Sequence, residues 1–179
     1  MIELKRTPLY DFHVLHGARF VDFSGWEMPV QYKSIIVEHK SVRSSAGLFD
    51  VSHMGEVIVK GPEACSFLDY LVTNEVASLK KGRVLYTPMC YPDGGVVDDL
   101  LVYRLDEESY HLCLNAGNVG KDVAWIQSQA EQRQCDREDV SSVYGLLALQ
   151  GPVSIKILNQ MTPFDVATIN YLHFVGSYV

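Results

Sequence analysis

The sequence predicts an α+β protein in which antiparallel sheets carry flanking helices. Three observations predict it. A strand–turn–strand pattern runs from Tyr86 to Leu105 and reverses at Pro92-Asp93-Gly94-Gly95, where a fixed φ precedes residues that tolerate positive φ. A third strand, Tyr110 to Asn115, follows after Asp106-Glu107-Glu108-Ser109 and extends the hairpin into a meander. Helical stripes with recognisable starts stand on both sides of this meander.

Taken in order, Thr7-Pro8 reads as an N-cap and first helical position, with Leu9, Phe12 and Leu15 as the apolar stripe and Gly17 as the stop. Ala18 to Phe23 reads as a short strand, and Ser24 to Pro29 as a loop carrying Trp26 and Met28. Ile35, His39, Val42 and Ala46 form a helical stripe stopped by Gly47. In Leu48 to Lys60 the alternation of Val57 and Val59 with Glu56, Ile58 and Lys60 predicts a partly exposed strand. Gly61-Pro62 opens a helix whose buried face is Cys65, Phe67, Leu68 and Leu71. After the meander, Asn115-Ala116-Gly117-Asn118 precedes a helix with Val123, Trp125 and Ile126, and its amides offer a polar-ligand site. Gln129 to Ser142 reads as an exposed stretch between lobes, and Val143 to Gln150 as a buried strand. Gly151-Pro152 starts a helix through Ile155, Ile157 and Leu158, and Tyr171 to Val179 is strand-like.

The meander contains two adjacent acids, Asp98 and Asp99, which point to opposite faces of their strand. Asp99 shares its face with Val97, Leu101, Tyr103 and Leu105, whereas the Asp98 face includes Arg104 as a charged partner. This composition makes Asp99 the carboxylate expected in the more apolar setting, where a charge is costly unless paired or used. A structural reading stands beside it: one acid bridged to Arg104 or a helix end, the other bound to turn amides. His53 reads as a core or surface histidine, because no second ligand stands at metal spacing to it. Ser52 lacks the glycine pattern of a nucleophile elbow.

Composition excludes several classes. Hydrophobic residues make up 47% and charged residues 21% of the 179, with a net charge of −7 and no basic patch interleaved with aromatics, which argues against nucleic-acid binding. Met1 to Arg6 has no signal-peptide core, and no apolar run is long enough to span a bilayer. Cys65, Cys90, Cys113 and Cys135 are too widely spaced for a zinc pattern or a dense disulfide framework and read as packing thiols of a reduced compartment.

Six runs, in order and covering nearly the whole chain, carry a resemblance. They are Arg6-Thr-Pro-Leu-Tyr10, Val21-Asp-Phe-Ser-Gly-Trp-Glu-Met-Pro29, Gly47-Leu-Phe-Asp-Val-Ser-His-Met-Gly55, Gly94-Gly-Val-Val-Asp-Asp-Leu100, Asn115-Ala-Gly-Asn118 and Ala148-Leu-Gln-Gly-Pro152. Together they resemble the amino-terminal half of the glycine cleavage system T-protein, an aminomethyltransferase. The resemblance implies a multi-lobe folate-binding fold, with residues 1–50 plus 140–179 as an incomplete first lobe and 51–139 as a second. It implies tetrahydrofolate as cosubstrate, an aminomethyl group on the lipoyl arm of a partner H-protein, release of ammonia and formation of methylene-tetrahydrofolate. It assigns the catalytic role to Asp99 and the folate pocket to Met54, Tyr86, Asp99, Tyr103 and Asn115, with Asn118 beside them. The family is about twice this length, so the chain is expected to be an amino-terminal fragment. Its expected location is cytoplasmic, or mitochondrial for a eukaryotic source whose transit peptide is removed. The rival readings are a folate-dependent demethylase of the same superfamily and a non-catalytic folate-binding lobe.

Overall fold

A computed structural model describes residues 3–130 and 133–178. The chain divides into two compact units. The first combines the stretch ending at His53 with Gly145–Thr168 and the segment from Gly176; the second combines Met54–Tyr144 with Ile169–Val175. Residues 169–175 thus lie with the second unit, where the lobe division drawn from the resemblance puts them in the first.

The second unit is built on a five-stranded antiparallel sheet. Its strands are β4 (Gly55–Lys60), β5 (Val84–Cys90), β6 (Val96–Asp106), β7 (Ser109–Leu114) and β8 (Asp136–Asp139), in the order β5-β6-β7-β4-β8. The expected hairpin and meander are present: β5 pairs with β6, and β6 with β7. The turn closes by hydrogen bonds from Tyr91 N–H to the Gly95 carbonyl (2.7 Å) and from Gly95 N–H to Asp93 Oδ1 (2.9 Å). Gly94 sits at φ +87°, which a side chain would make costly. Two helices, α3 (Ala64–Leu71) and α4 (Val119–Gln129), supply the cover. Phe67, Leu68 and Leu71 of α3 and Ile126 of α4 join Val57, Val59, Leu100, Val102, Leu112 and Leu114 of the sheet in one core. Cys65, expected on the buried face of α3, is only half-buried. All four cysteines are free thiols.

Strand β4 is buried along most of its length, because β7 and β8 flank it on both sides; Glu56 and Ile58 are buried as well as Val57 and Val59. The expectation of a partly exposed strand therefore fails. The stretch from Gln129 to Ser142 is largely exposed among its described residues, as expected, but it belongs to the second unit and is not a plain connection: within it, β8 forms the sheet edge, a place that charged residues suit, and Ala130, Cys135 and Val140 are buried. Glu131 and Gln132 of that stretch lie outside the described residues. The apolar run from Tyr171 contributes one bridge, His173 to Arg83, and no strand among its described residues; Val179 is outside them.

The first unit is made of ribbons and short helices. Helix α1 (Tyr10–Leu15) begins later than the sequence suggests, with Leu9 and not Thr7 at its cap, and its buried side chain is His13; Phe12 and Leu15 are exposed. β1 (Arg19–Phe23) pairs with β2 (Trp26–Gln31), so most of the expected loop is a strand. Helix α2 (Ile35–Ser44) stops short of Ala46 and buries no residue completely. β3 (Gly47–Asp50) pairs with β9 (Leu147–Gln150). β9 is shorter than predicted and half-exposed, with Val143 and Leu147 open to solvent. Helix α5 (Ser154–Leu158) follows Gly151-Pro152 as expected.

Candidate functional site

The site residues collect at one end of the five-stranded sheet. Leu100 pairs with Leu114 and Gly55 pairs with Leu114 from the other side, so Met54, just before β4, and Asn115, just after β7, lie at the same end of the sheet as Asp99, which sits inside β6 opposite Pro88. Gly55 permits this: a Cβ there would meet Val119 Cγ2 at 2.7 Å, so glycine lets the start of α4 press onto the sheet end. That approach brings Asn118, Lys121 and Asp122 over the paired acids.

Asp98 is the more buried acid, 8% exposed, while Asp99 is half-buried. The sequence expectation that Asp99 occupies the more apolar setting is therefore reversed. Asp98, Leu100 and Val102 face the side that the helices cover, whereas Asp99, Leu101 and Tyr103 face the other. Arg104 is no partner to Asp98 either; its guanidinium donates to the Leu79 carbonyl (2.6 Å) and to Glu107 Oε2 (2.8 Å).

The two carboxylates differ in how they are filled. Asn115 Nδ2 donates to Asp98 Oδ1 (3.1 Å) and to the Asp99 carbonyl (3.0 Å), and Asn118 Nδ2 donates to Asp98 Oδ2 (2.9 Å). Burial alone would raise the Asp98 pKa, but hydrogen bonds from Asp122, Asn118, the Asp99 backbone and Asn115 hold it below the ordinary carboxylate value. Asp99 is much freer. Its Oδ1 meets Asn115 Nδ2 at 3.4 Å, and Tyr86 hydrogen-bonds its carboxylate from the neighbouring strand. That bond and the Asp99 charge raise the Tyr86 pKa; the tyrosine itself is 58% exposed. An open aromatic thus lies beside a carboxylate with vacant acceptor positions.

Tyr103 stands on the same face but four residues along β6, about 13 Å from Asp99 at strand rise. It packs against His111 and Phe174, at 5.7 and 5.5 Å between ring centroids. Burial first, and then the charges of Cys113 and Glu56, push its hydroxyl up to about 12. The structure therefore joins Asp99, Tyr86 and Asn115 directly, holds Asn118 on Asp98, and sets Tyr103 farther along the same face.

Sequence reasoning missed Asp122 and Lys121. Asp122 is 0% exposed, and Lys121 Nζ donates to its Oδ1 (2.8 Å) and to the Val97 carbonyl. The signal was available: Val119, Asp122, Val123 and Ile126 fall at i, i+3, i+4 and i+7, which puts a carboxyl on the apolar stripe of α4. His53 belongs to the first unit, packed edge-on against Phe23 (5.5 Å) and Trp26 (6.4 Å), with burial lowering its pKa against the opposing pull of Asp50.

The chain matches the GCVT N-terminal domain family over residues 9–178. It belongs to that family. Among curated relatives, the Desulfitobacterium hafniense (strain DSM 10664 / DCB-2) aminomethyltransferase is 55% identical over 174 residues, covering 97% of this chain and 48% of the relative. The Moorella thermoacetica aminomethyltransferase is 51% identical over 179 residues, covering 100% and 49%. The crystal structure of glycine cleavage system aminomethyltransferase T from Bartonella henselae superposes with a TM-score of 0.90 at 36% identity, over 95% of this chain and 46% of that one. The GCVT-family chain therefore spans about half the length of the relatives it matches. The α+β architecture of antiparallel sheets expected from the sequence is borne out. Among the described residues, no helix is long and apolar enough to cross a membrane.

Proposed function

We propose that this chain supplies the acidic face of a tetrahydrofolate-dependent aminomethyltransferase of the glycine cleavage system, with Asp99 as its catalytic carboxylate. The observation that carries the reading is the contrast between the two acids. Asp98 is saturated by two asparagine amides, whereas Asp99 keeps free acceptor positions beside an exposed tyrosine.

A planar, donor-rich heterocycle suits that arrangement. Asp99 offers acceptors for ring or amine N–H groups, Tyr86 offers an open aromatic surface, and Tyr103 marks the same face about 13 Å farther on for an elongated ligand. Met54 stands at the sheet edge beside Asn115 as a flexible apolar wall, and Asn118 acts through Asp98. When bound, tetrahydrofolate supplies the nitrogen that receives the one-carbon unit. The role of Asp99 is to accept a hydrogen bond or proton from such a nitrogen and to steady positive charge developing on the carbon. Tyr86 holds the carboxylate in place for that task. The names of the relatives support aminomethyl transfer within a glycine cleavage system, for which the family resemblance implies a lipoyl-bearing H-protein as donor and partner, and their bacterial sources support a cytoplasmic location.

The test has two arms. Calorimetry with tetrahydrofolate is run on this chain. Single-turnover transfer from an aminomethylated lipoyl carrier is run on a chimera that joins the chain to the second half of the Moorella thermoacetica relative. Asp99→Asn keeps size but removes charge, and should lower transfer by about a hundredfold while changing affinity much less. Normal transfer by Asp99→Asn, with loss in Asp98→Asn, would assign the role to the other acid. Normal transfer by both would make the pair structural, and binding without any transfer would favour a scaffold lobe.

A further inference from the structure

We propose that Glu56 and His111 are positioning residues: they set the ring of Tyr103, and so fix where the far end of an elongated ligand rests on the Asp99 face. His111 and Tyr103 are direct partners across β7 and β6, and Glu56 lies opposite Cys113, one diagonal step from His111. His111 Nε2 and Glu56 Oε2 meet at 2.5 Å, and neither atom has a hydrogen-bond partner outside the pair among the described residues. Two lone pairs at that separation repel, so a hydrogen lies between the atoms and ties ring to carboxyl. Glu56 is itself held in place. Its carbonyl accepts from Val140 N–H (2.8 Å), and its own N–H donates to Ser141 Oγ (2.9 Å).

The imidazole so anchored packs against two tyrosine rings, Tyr103 at 5.7 Å and Tyr144 at 5.4 Å between centroids, tilted by 38° and 36°. Phe174 meets Tyr103 edge-on at 5.5 Å. Packing alone does not call for the polar pair. Glu56 is 4% exposed, and taking a carboxyl and an imidazole out of water costs more than placing two apolar side chains of similar volume there. What the pair adds is direction. The hydrogen fixes the turn of the imidazole about its own bonds, and the imidazole plane fixes the tilt of Tyr103.

The Tyr103 hydroxyl, pushed up to about 12 chiefly by burial, keeps its proton at neutral pH. The face therefore presents carboxylate acceptors at Asp99 and, about 13 Å along β6, a donor whose place is set. The consequence for a ligand rests on the function proposed above; the setting of the ring does not.

Two variants of this chain and two ligands test the proposal. The double variant Glu56→Leu/His111→Leu replaces the pair by apolar side chains and should melt at the wild-type temperature or above. The Tyr103 ring should nonetheless gain motion, read as a lower carbon-13 NMR order parameter. Glu56→Gln, whose amide oxygen still accepts from Nε2, should keep the wild-type value. Calorimetry then compares tetrahydrofolate with tetrahydropterin, which has the same fused ring and lacks the tail. The double variant should bind tetrahydrofolate about three- to tenfold more weakly, the penalty of ordering one freed side chain on binding, and should bind tetrahydropterin as the wild type does. Glu56→Gln should bind both normally. Should the double variant fail to fold, Glu56→Ala is read in the same way. An unchanged order parameter at Tyr103, or equal weakening of both ligands, overturns the proposal. Failure of the wild-type chain to bind tetrahydrofolate would sink the functional reading, while the Tyr103 order parameters still decide whether the pair sets the ring.

Discussion

The two units are held together by different physics. In the second, helices α3 and α4 close over a five-stranded sheet, and aliphatic and aromatic side chains from every central strand meet in one core. In the first, the buried residues among those described are Thr7, His13, Met28, Ser52 and His53, so four of five are polar. Its strands come as two-stranded ribbons, which are marginal by themselves. Its large apolar side chains, Phe12, Leu15, Ile36 and Leu48 among them, remain open to solvent. What organises it is a hydrogen-bonded chain: Tyr32 hydroxyl to His13 Nδ1 (2.6 Å), His13 Nε2 to Asp50 Oδ2 (2.9 Å), and Asp50 to Thr7 and Ser52. An apolar core and a polar network need different substitutions to break them.

The largest expected effect tests the core. Phe67 is fully buried in the second unit, and Phe67→Ala should cost about 3–5 kcal/mol. Ile36→Ala in the first unit removes a side chain 66% exposed and should stay within about 0.5 kcal/mol. Native-state amide exchange, read separately on β4–β7 and on β1–β2, measures both. A comparable loss at Ile36 would mean that the first unit has an apolar core after all.

The same division explains what was legible in the sequence. The hairpin, the meander and α3 announce themselves because local periodicity and burial coincide when a helix packs on a sheet. β2, with Pro29 inside it, and β8, written Asp-Arg-Glu-Asp, carry no such period; they are strands because a neighbour's backbone pairs with them. The Thr7 cap is misread because the Thr7 side chain bonds Asp50, far along the chain. At the site, the residue types and their order point to Asp99, Asn115 and Asn118 through family resemblance. The burial of Asp98 is not legible, because counting apolar neighbours on a strand does not say which face a distant helix will cover. Asp122 was readable from its place on the stripe of α4 but needed the pairing of Gly55 with Leu114 to show what it meets.

A second substitution addresses the polar network. His13→Ala removes the link between Tyr32 and Asp50, and leaves a carboxylate whose side chain is 1% exposed with one partner fewer. Burial would raise the Asp50 pKa, but hydrogen bonds from Thr7, Ser52 and His13 outweigh it and hold the group ionised. The expected cost is about 1–3 kcal/mol, the range for an orphaned buried polar group. Exchange in β1–β2 and β3–β9 should quicken, with β6–β7 unchanged. A silent His13→Ala would remove the network as the account of the first unit.

The smallest effect separates the units by sign. Burial lowers the His53 pKa, so the unfolded chain takes up that proton first, and the first unit loses stability as pH falls through about 6.5. Asp122 works the other way. Its folded value of about 6 lies above the ordinary 3.8, so its contribution is present at low pH and lost as pH rises through 6. Lowering pH from about 7 to about 5 should therefore weaken the first unit and strengthen the second, the latter by about 1 kcal/mol. Asp50 and Asp98, both held below their ordinary values, leave this window undisturbed; their stabilisation is lost only at more acidic pH. Amide exchange corrected for its intrinsic pH dependence gives the two slopes in one sample. Asp122→Asn should flatten the slope of the second unit and leave that of the first, whereas His53→Gln should do the reverse. Parallel slopes in the two units, or a second-unit slope that survives Asp122→Asn, would show that burial does not raise the Asp122 carboxyl as argued.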